Sequence, residues 1–168
     1  MKNIKTKIII VLTMSLLLLS ACAKDDVQSG EEDVPLEDIV EKLYQGLDIP
    51  PYETIPLTEE NFEYFAFVPY SEDLSAVAAD ALVNITAHSL VVIRTEQGNG
   101  AELAKAVAAN ADPNTWLCVR ADAVSVAYTD HYVVLIMSYQ DLTDGITENF
   151  RAMATDLDGM EMQLLSGK

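Results

Sequence analysis

Residues 124–139 read Val-Ser-Val-Ala-Tyr-Thr-Asp-His-Tyr-Val-Val-Leu-Ile-Met-Ser-Tyr. Val124, Val126 and Tyr128 alternate with Ser125 and Ala127, the two-residue period of a half-buried strand. Thr129-Asp130 supplies a tight turn, and Tyr132 to Tyr139 returns as a strongly apolar strand. A hairpin is the expectation. Upstream, Ser89 to Arg94 carries Leu90-Val91-Val92-Ile93, apolar on both faces as a central strand should be. Downstream, Asp141 is a candidate N-cap, and Leu142, Ile146, Phe150, Met153 and Leu157 repeat at helical spacing.

The segments between are read in the same way. Gln97-Gly98-Asn99-Gly100 breaks the central strand, and Asn99 stands three before Glu102 in the arrangement of a capping box. A helix to Asn110 follows, with Leu103, Val107 and Ala111 on one side, and Asp112-Pro113-Asn114 ends it. Leu36, Ile39, Val40, Leu43 and Leu47 form one face of an earlier helix between Pro35 and Gly46. Two stretches stay open. Phe62 to Val68 is aromatic-rich and suits a strand without periodicity to settle it. Ala76 to Val83 suits a helix by composition, yet Val83 to Ile85 reads as strand. Strands joined by short turns are antiparallel neighbours, and helices with one apolar face must lie against the sheet. The expected fold is a small two-layer α+β domain over residues 35–157, mostly antiparallel sheet with helices on one face, then a frayed tail over 158–168.

The chain has 168 residues, 10 Lys+Arg against 27 Asp+Glu, and a formal charge of −17. That length suits one domain. So acidic a surface is repelled by nucleic acid and does not cling to anionic lipid by charge. Two cysteines exclude a disulfide framework.

The N-terminus reads as an address. Lys2, Lys5 and Lys7 precede an apolar run from Ile8 to Leu19. A bilayer core needs about 20 apolar residues, so this run fits a secretory signal better than a membrane span. Its end, Leu19-Ser20-Ala21-Cys22, resembles the lipobox of bacterial lipoproteins. The resemblance implies removal of residues 1–21, diacylglyceryl attachment at Cys22, and a membrane-anchored, extracytoplasmic location. Two acyl chains anchor where one only visits, because each buried CH₂ contributes about 0.8 kcal/mol. Residues 22–34, with Asp25, Asp26, Glu31, Glu32 and Asp33, are expected to be an acidic, flexible tether.

Ala87-His88-Ser89-Leu90-Val91-Val92-Ile93-Arg94, Asp112-Pro113-Asn114-Thr115-Trp116-Leu117-Cys118-Val119 and the hairpin are similar to the lipoproteins grouped as domain of unknown function 4358. The resemblance spans most of residues 36–153. It implies an exported lipoprotein with an α+β domain and brings no catalytic residues. Relatives are expected to carry a basic pair before the tryptophan. Asn114 and Thr115 stand there in this chain, so no anion-binding role carries over.

Few residues suggest chemistry. Cys118, between Leu117 and Val119, reads as a small buried hydrophobe; a reactive thiol would need His88 or His131 beside it. Neither histidine belongs to an HxxxH or HExxH motif, so both read as structural or exposed rather than metal-ligating. Asp156-Leu157-Asp158-Gly159 superficially resembles a calcium loop, but Ala154 and Leu165 fall where that loop needs acids. The many acids allow numerous glycosidase-like carboxylate pairs, and that abundance singles out none. Trp116 with Tyr64, Tyr70 and Tyr132 suggests a groove, although core packing is the commoner fate of a tryptophan. No catalytic, cofactor or metal set is read. The leading expectation is a lipid-anchored binding or protein-interaction module for an envelope protein or small ligand. The alternatives are a cell-surface hydrolase or thiol enzyme, and a structural part of an envelope assembly.

Overall fold

The computed structural model describes residues 34–83, 85–116 and 118–165. The signal, the lipobox with Cys22 and nearly all of the tether lie outside the described residues. The elements run α1 (Leu36–Leu43), β1 (Tyr52–Pro56), α2 (Phe62–Ala66), β2 (Leu74–Ala81), β3 (Ser89–Thr95), α3 (Gly100–Asn110), β4 (Ala123–Tyr128), β5 (Tyr132–Ser138), α4 (Gln140–Asp158) and β6 (Gln163–Leu165). The strands form one sheet in the order β1-β2-β3-β5-β4-β6, with every neighbouring pair antiparallel. The protein is an α+β domain built on an antiparallel sheet, as the sequence predicts.

The helices divide between the two faces of that sheet, which corrects the expectation that they share one. Leu90, Val92, Val134 and Ile136 pack with Ile39, Val40 and Leu43 of α1 and with Ile146, Phe150 and Ala154 of α4. Their neighbours Val91, Ile93, Val133, Leu135 and Met137 point the other way, onto Phe62 and Ala66 of α2 and Ala104 and Val107 of α3. The cause is the period of a strand. Successive side chains alternate faces, so a continuous apolar run in β3 and β5 leaves two apolar surfaces to cover. Each buried aliphatic side chain contributes about 1.5–3 kcal/mol, so neither surface can stay bare.

Local chemistry fixes the ends. Gly46, with φ +78, closes the turn after α1, and the Asn149 amide of α4 donates to the Leu43 and Gln45 carbonyls at 2.8 and 3.0 Å. The capping box before α3 does not form. Asn99 Oδ1 instead accepts from Thr95 Oγ1 at 2.6 Å, tying the loop to β3. Gly100 is required by close approach: its N–H donates to the Asp130 carbonyl at 2.8 Å, and a Cβ there would meet the Thr129 carbonyl oxygen at 2.0 Å.

The open segments resolve. Phe62–Ala66 is a short helix, because the Thr58 N–H donates to Asn61 Oδ1 at 2.6 Å and turns the chain, placing Phe62 and Ala66 on one buried face. Leu74–Ala81 is a strand paired along β1 and β3. The tail differs from expectation as well. Gln163–Leu165 returns as β6 beside β4 rather than fraying. Among the described residues no helix is long and apolar enough to cross a membrane.

Candidate functional site

The register places one row of side chains across the end of the sheet where β2 finishes and β3 begins. Asp80 stands opposite Ser89, and Ser89 opposite Met137. Asp80 is an even-numbered residue of β2 like Ala76 and Ala78, so it points to the α2–α3 face. Ser89 and Met137 share that face with Val91 and Leu135. Glu53 of β1 lies opposite Asp80 on the other side.

Over this row is a pocket of about 160 Å³, lined by Tyr64, Phe65, Phe67, Asp80, Ser89, Thr115, Trp116 and Met137. A cavity of about 150 Å³ admits a ligand the size of benzene. Phe65 and Tyr64 meet edge to face, their centroids 4.9 Å apart, and Tyr64 stands at the rim with 65% of its surface exposed. Phe67 is the one non-glycine residue with positive φ among the described residues, at +59. A bulky side chain in that conformation is a genuine outlier, and strain of this kind concentrates at functional sites.

Burial raises the Asp80 carboxyl above the usual carboxylate range; a hydrogen bond from Ser89 pulls it down, and the Glu53 charge pushes it up. Opposed like charges on adjacent strands are destabilising. The same end of the sheet bears an exposed apolar loop, with Leu82, Val83 and Ile85 at 57%, 47% and 73% exposure.

A second group lies on the opposite face. His88 is fully buried, with Nε2 2.7 Å from the Tyr44 hydroxyl and Nδ1 2.9 Å from Ser138 Oγ. A neutral imidazole donates from one nitrogen and accepts at the other, which suits a hydroxyl on each side. Burial lowers its pKa to about 4. Burial also raises the Tyr44 phenol, helped by nearby Tyr52 and the Asp80 charge. Ser138 is buried too, so no substrate can reach its hydroxyl. This trio organises the core.

His131 lies elsewhere, 47% exposed, its Nδ1 2.7 Å from Asp158 Oδ1 while its backbone N–H donates to Oδ2 at 2.9 Å. Burial opposes ionisation of Asp158, but hydrogen bonds from Thr129 and from the His131 amide and ring outweigh it and hold the carboxyl below its ordinary range. Asp156 and Asp158 occupy the last turn of α4, capped by Gly159 at φ +67. Cys118 is exposed, which corrects its reading as a core residue: it sits in the irregular connection between α3 and β4, outside either apolar cluster. Both histidine rings are engaged by other partners. Among the described residues no three His, Cys, Asp or Glu side chains come together to hold a metal.

Of the four aromatic residues expected to line a groove, Trp116 and Tyr64 share the pocket. Tyr70 packs on Phe62 with centroids 5.7 Å apart, and Tyr132 belongs to the opposite core. Comparison with protein-family models, curated proteins and solved structures finds no match. The pocket therefore stands on its own geometry. The sequence reading assigns none of the pocket's other members, Phe65, Phe67, Asp80, Ser89, Thr115 and Met137, to a groove. The only sequence signal for Asp80 was an acid interrupting a run of small residues.

Proposed function

We propose that this protein is a lipid-anchored, extracytoplasmic binding module that takes a small ligand, or the small exposed group of a larger one, in the Trp116 pocket. The observation that carries the reading is a concave, aromatic-walled pocket with a partly buried carboxylate at its base. Aromatic side chains gathered with convergent polar groups, which supply most of the exposed lining here, are a recurring make-up of a ligand site. The habitat rests on Leu19-Ser20-Ala21-Cys22 after a basic and apolar leader, and on the similarity to lipoproteins of domain of unknown function 4358.

Val34, the first described residue, and the pocket lie at opposite ends of β3. Val34, where the tether joins the domain, has its carbonyl 3.4 Å from Arg94 Nη1, near the C-terminal end of β3. The pocket lies at Ser89, where β3 begins. Five residues of strand separate the two, about 17 Å at about 3.3 Å per residue.

Two measurements test the reading. Cells fed labelled fatty acid should label this chain, and Cys22→Ala should abolish the label; an unlabelled protein retained inside the cell defeats the habitat. The purified full chain in mild nonionic detergent is then screened by thermal shift against small cations, anions, sugars and peptides. At least one class should raise the melting temperature, and Trp116→Ala should remove that gain. No shift from any class would overturn the binding reading.

A further inference from the structure

The geometry points to a small alkylammonium ion, such as a quaternary ammonium group, as what the Trp116 pocket binds; this rests on the binding reading above and specifies its ligand class. Tyr64, Phe65, Phe67 and Trp116 wall the pocket, and Asp80 closes it on the strand side. Aromatic faces carry negative charge density, and cages of such rings attract cations that have no N–H to donate. Asp80 adds a full negative charge, and its Ser89 partner already donates to it. Burial and the acid Glu53 both disfavour the charged form of Asp80, while Ser89 favours it.

Other ligand classes fit less well. An anion would meet the Asp80 carboxylate without a compensating base. A divalent metal needs six or more oxygen ligands, and Asp80 is the one acidic side chain in the lining. A neutral hexose could stack on the rings, but it would leave a partly desolvated carboxylate without a counter-charge. A net charge of −17 also raises the local concentration of cations around the whole domain. The strained backbone of Phe67 has a role here, because it sets that ring on the pocket wall.

The test uses the full chain in nonionic detergent and the emission of Trp116, which is the sole tryptophan. Tetramethylammonium and choline are titrated beside the neutral isostere of choline, in which carbon replaces nitrogen, and beside glucose. The cations should change the emission saturably, and the neutral compounds should bind at least about tenfold more weakly. Asp80→Asn should weaken cation binding by a similar factor. The comparison of cation with isostere needs no variant, so it decides the matter even if Asp80→Asn fails to fold. Equal binding of the isostere or glucose overturns the cation assignment while leaving the pocket a binding site. If nothing alters the emission or the melting temperature, the binding reading falls with it. Phosphatidylcholine vesicles form a further arm. Competition with free choline identifies a lipid headgroup as the source, and its absence identifies a dissolved cation; both agree with the alkylammonium site.

Discussion

Replacing His88 with Gln tests whether the buried Tyr44–His88–Ser138 chain is neutral. The ring is completely buried, and burial alone lowers its pKa from 6.5 to about 4. In the unfolded chain the imidazole takes a proton below about 6.5, whereas in the fold it stays neutral until about 4. Between those values the unfolded state binds more protons, so stability rises with pH there. The contribution is complete above 6.5, is lost as pH falls towards 4, and is constant below that. At about 1.4 kcal/mol per pH unit, the interval corresponds to about 3 kcal/mol.

The chain carries 27 Asp+Glu, and many titrate in the same range, so the wild-type curve alone is not diagnostic. The difference between wild type and His88→Gln isolates the one group, since glutamine can donate and accept but does not titrate. Urea unfolding followed by far-ultraviolet circular dichroism at pH 7.5 and pH 4 gives both stabilities. Wild type should be the more stable protein at pH 7.5, and its advantage should shrink by about 3 kcal/mol at pH 4. If the two lose stability in parallel to within about 0.5 kcal/mol, the resolution of additivity, His88 is not held neutral by burial and the argument fails.

Gly100→Ala should destabilise by about 3 kcal/mol or more in the same unfolding assay, because its Cβ would meet backbone oxygen at 2.0 Å. Gly145→Ala is the contrast: the obstacle is Leu47 Cδ2 at 2.7 Å, the tip of a movable side chain, and about 1 kcal/mol of helix propensity is regained, so the net change should be within about 1 kcal/mol. Asn149→Ala removes two hydrogen bonds to the end of α1 and should cost about 1–2 kcal/mol, with faster hydrogen exchange at the α1 amides. Asp158→Asn should weaken the link between α4 and the β4–β5 turn at neutral pH. Because the native carboxyl titrates below its ordinary range, the wild-type advantage should be present above that range and fade as pH falls through the native pKa. Asp80→Asn should raise stability at neutral pH by up to about 1 kcal/mol, kept small by solvent screening of a partly exposed charge. A loss of stability there would mean that Asp80 is a structural residue.

What could be read from the residues depended on how strongly each segment was patterned. The hairpin, the central strand and the last helix were legible because their apolar periods run long enough to exclude other conformations. Phe62–Ala66 was not, since a five-residue helix is set by the Thr58–Asn61 turn rather than by periodicity. Ala76, Ala78 and Ala79 favour a helix by composition, but they are buried between β1 and β3, where small side chains let the helices on both faces approach. The second helix layer was implicit in Leu90-Val91-Val92-Ile93, apolar on both faces, and was missed because short turns say which strands are neighbours but not which faces are covered. Trp116 and Tyr64 were recognisable as groove candidates. Asp80 was not, because its place between Ser89 and Glu53 depends on the register of three strands, and the pocket it shares with Phe67 on a left-handed residue.

The pocket's position follows from the unequal covering of the two faces. On one side, the long α4 and the tightly buried α1 close over the sheet. On the other, α3 packs against β4 and β5, and the short α2 against β3. The corner where β2 ends and β3 begins is then left to Tyr64 and Phe65 of α2, to Phe67 just after it, and to the Trp116 connection. Three unfavourable features gather in that corner: a left-handed phenylalanine, two opposed carboxylates, and one of those carboxylates partly withdrawn from water. Packing alone would be served better by a glycine at position 67 and an amide at position 80. Local rules broken together in one place, within a fold that otherwise agrees with its sequence, are what a ligand site leaves behind. A cation offsets two of these costs when it binds, because it neutralises the charge that burial and Glu53 disfavour. The same substitution, Asp80→Asn, therefore should make the empty protein more stable and the site weaker, a pairing that a purely structural carboxylate would not produce.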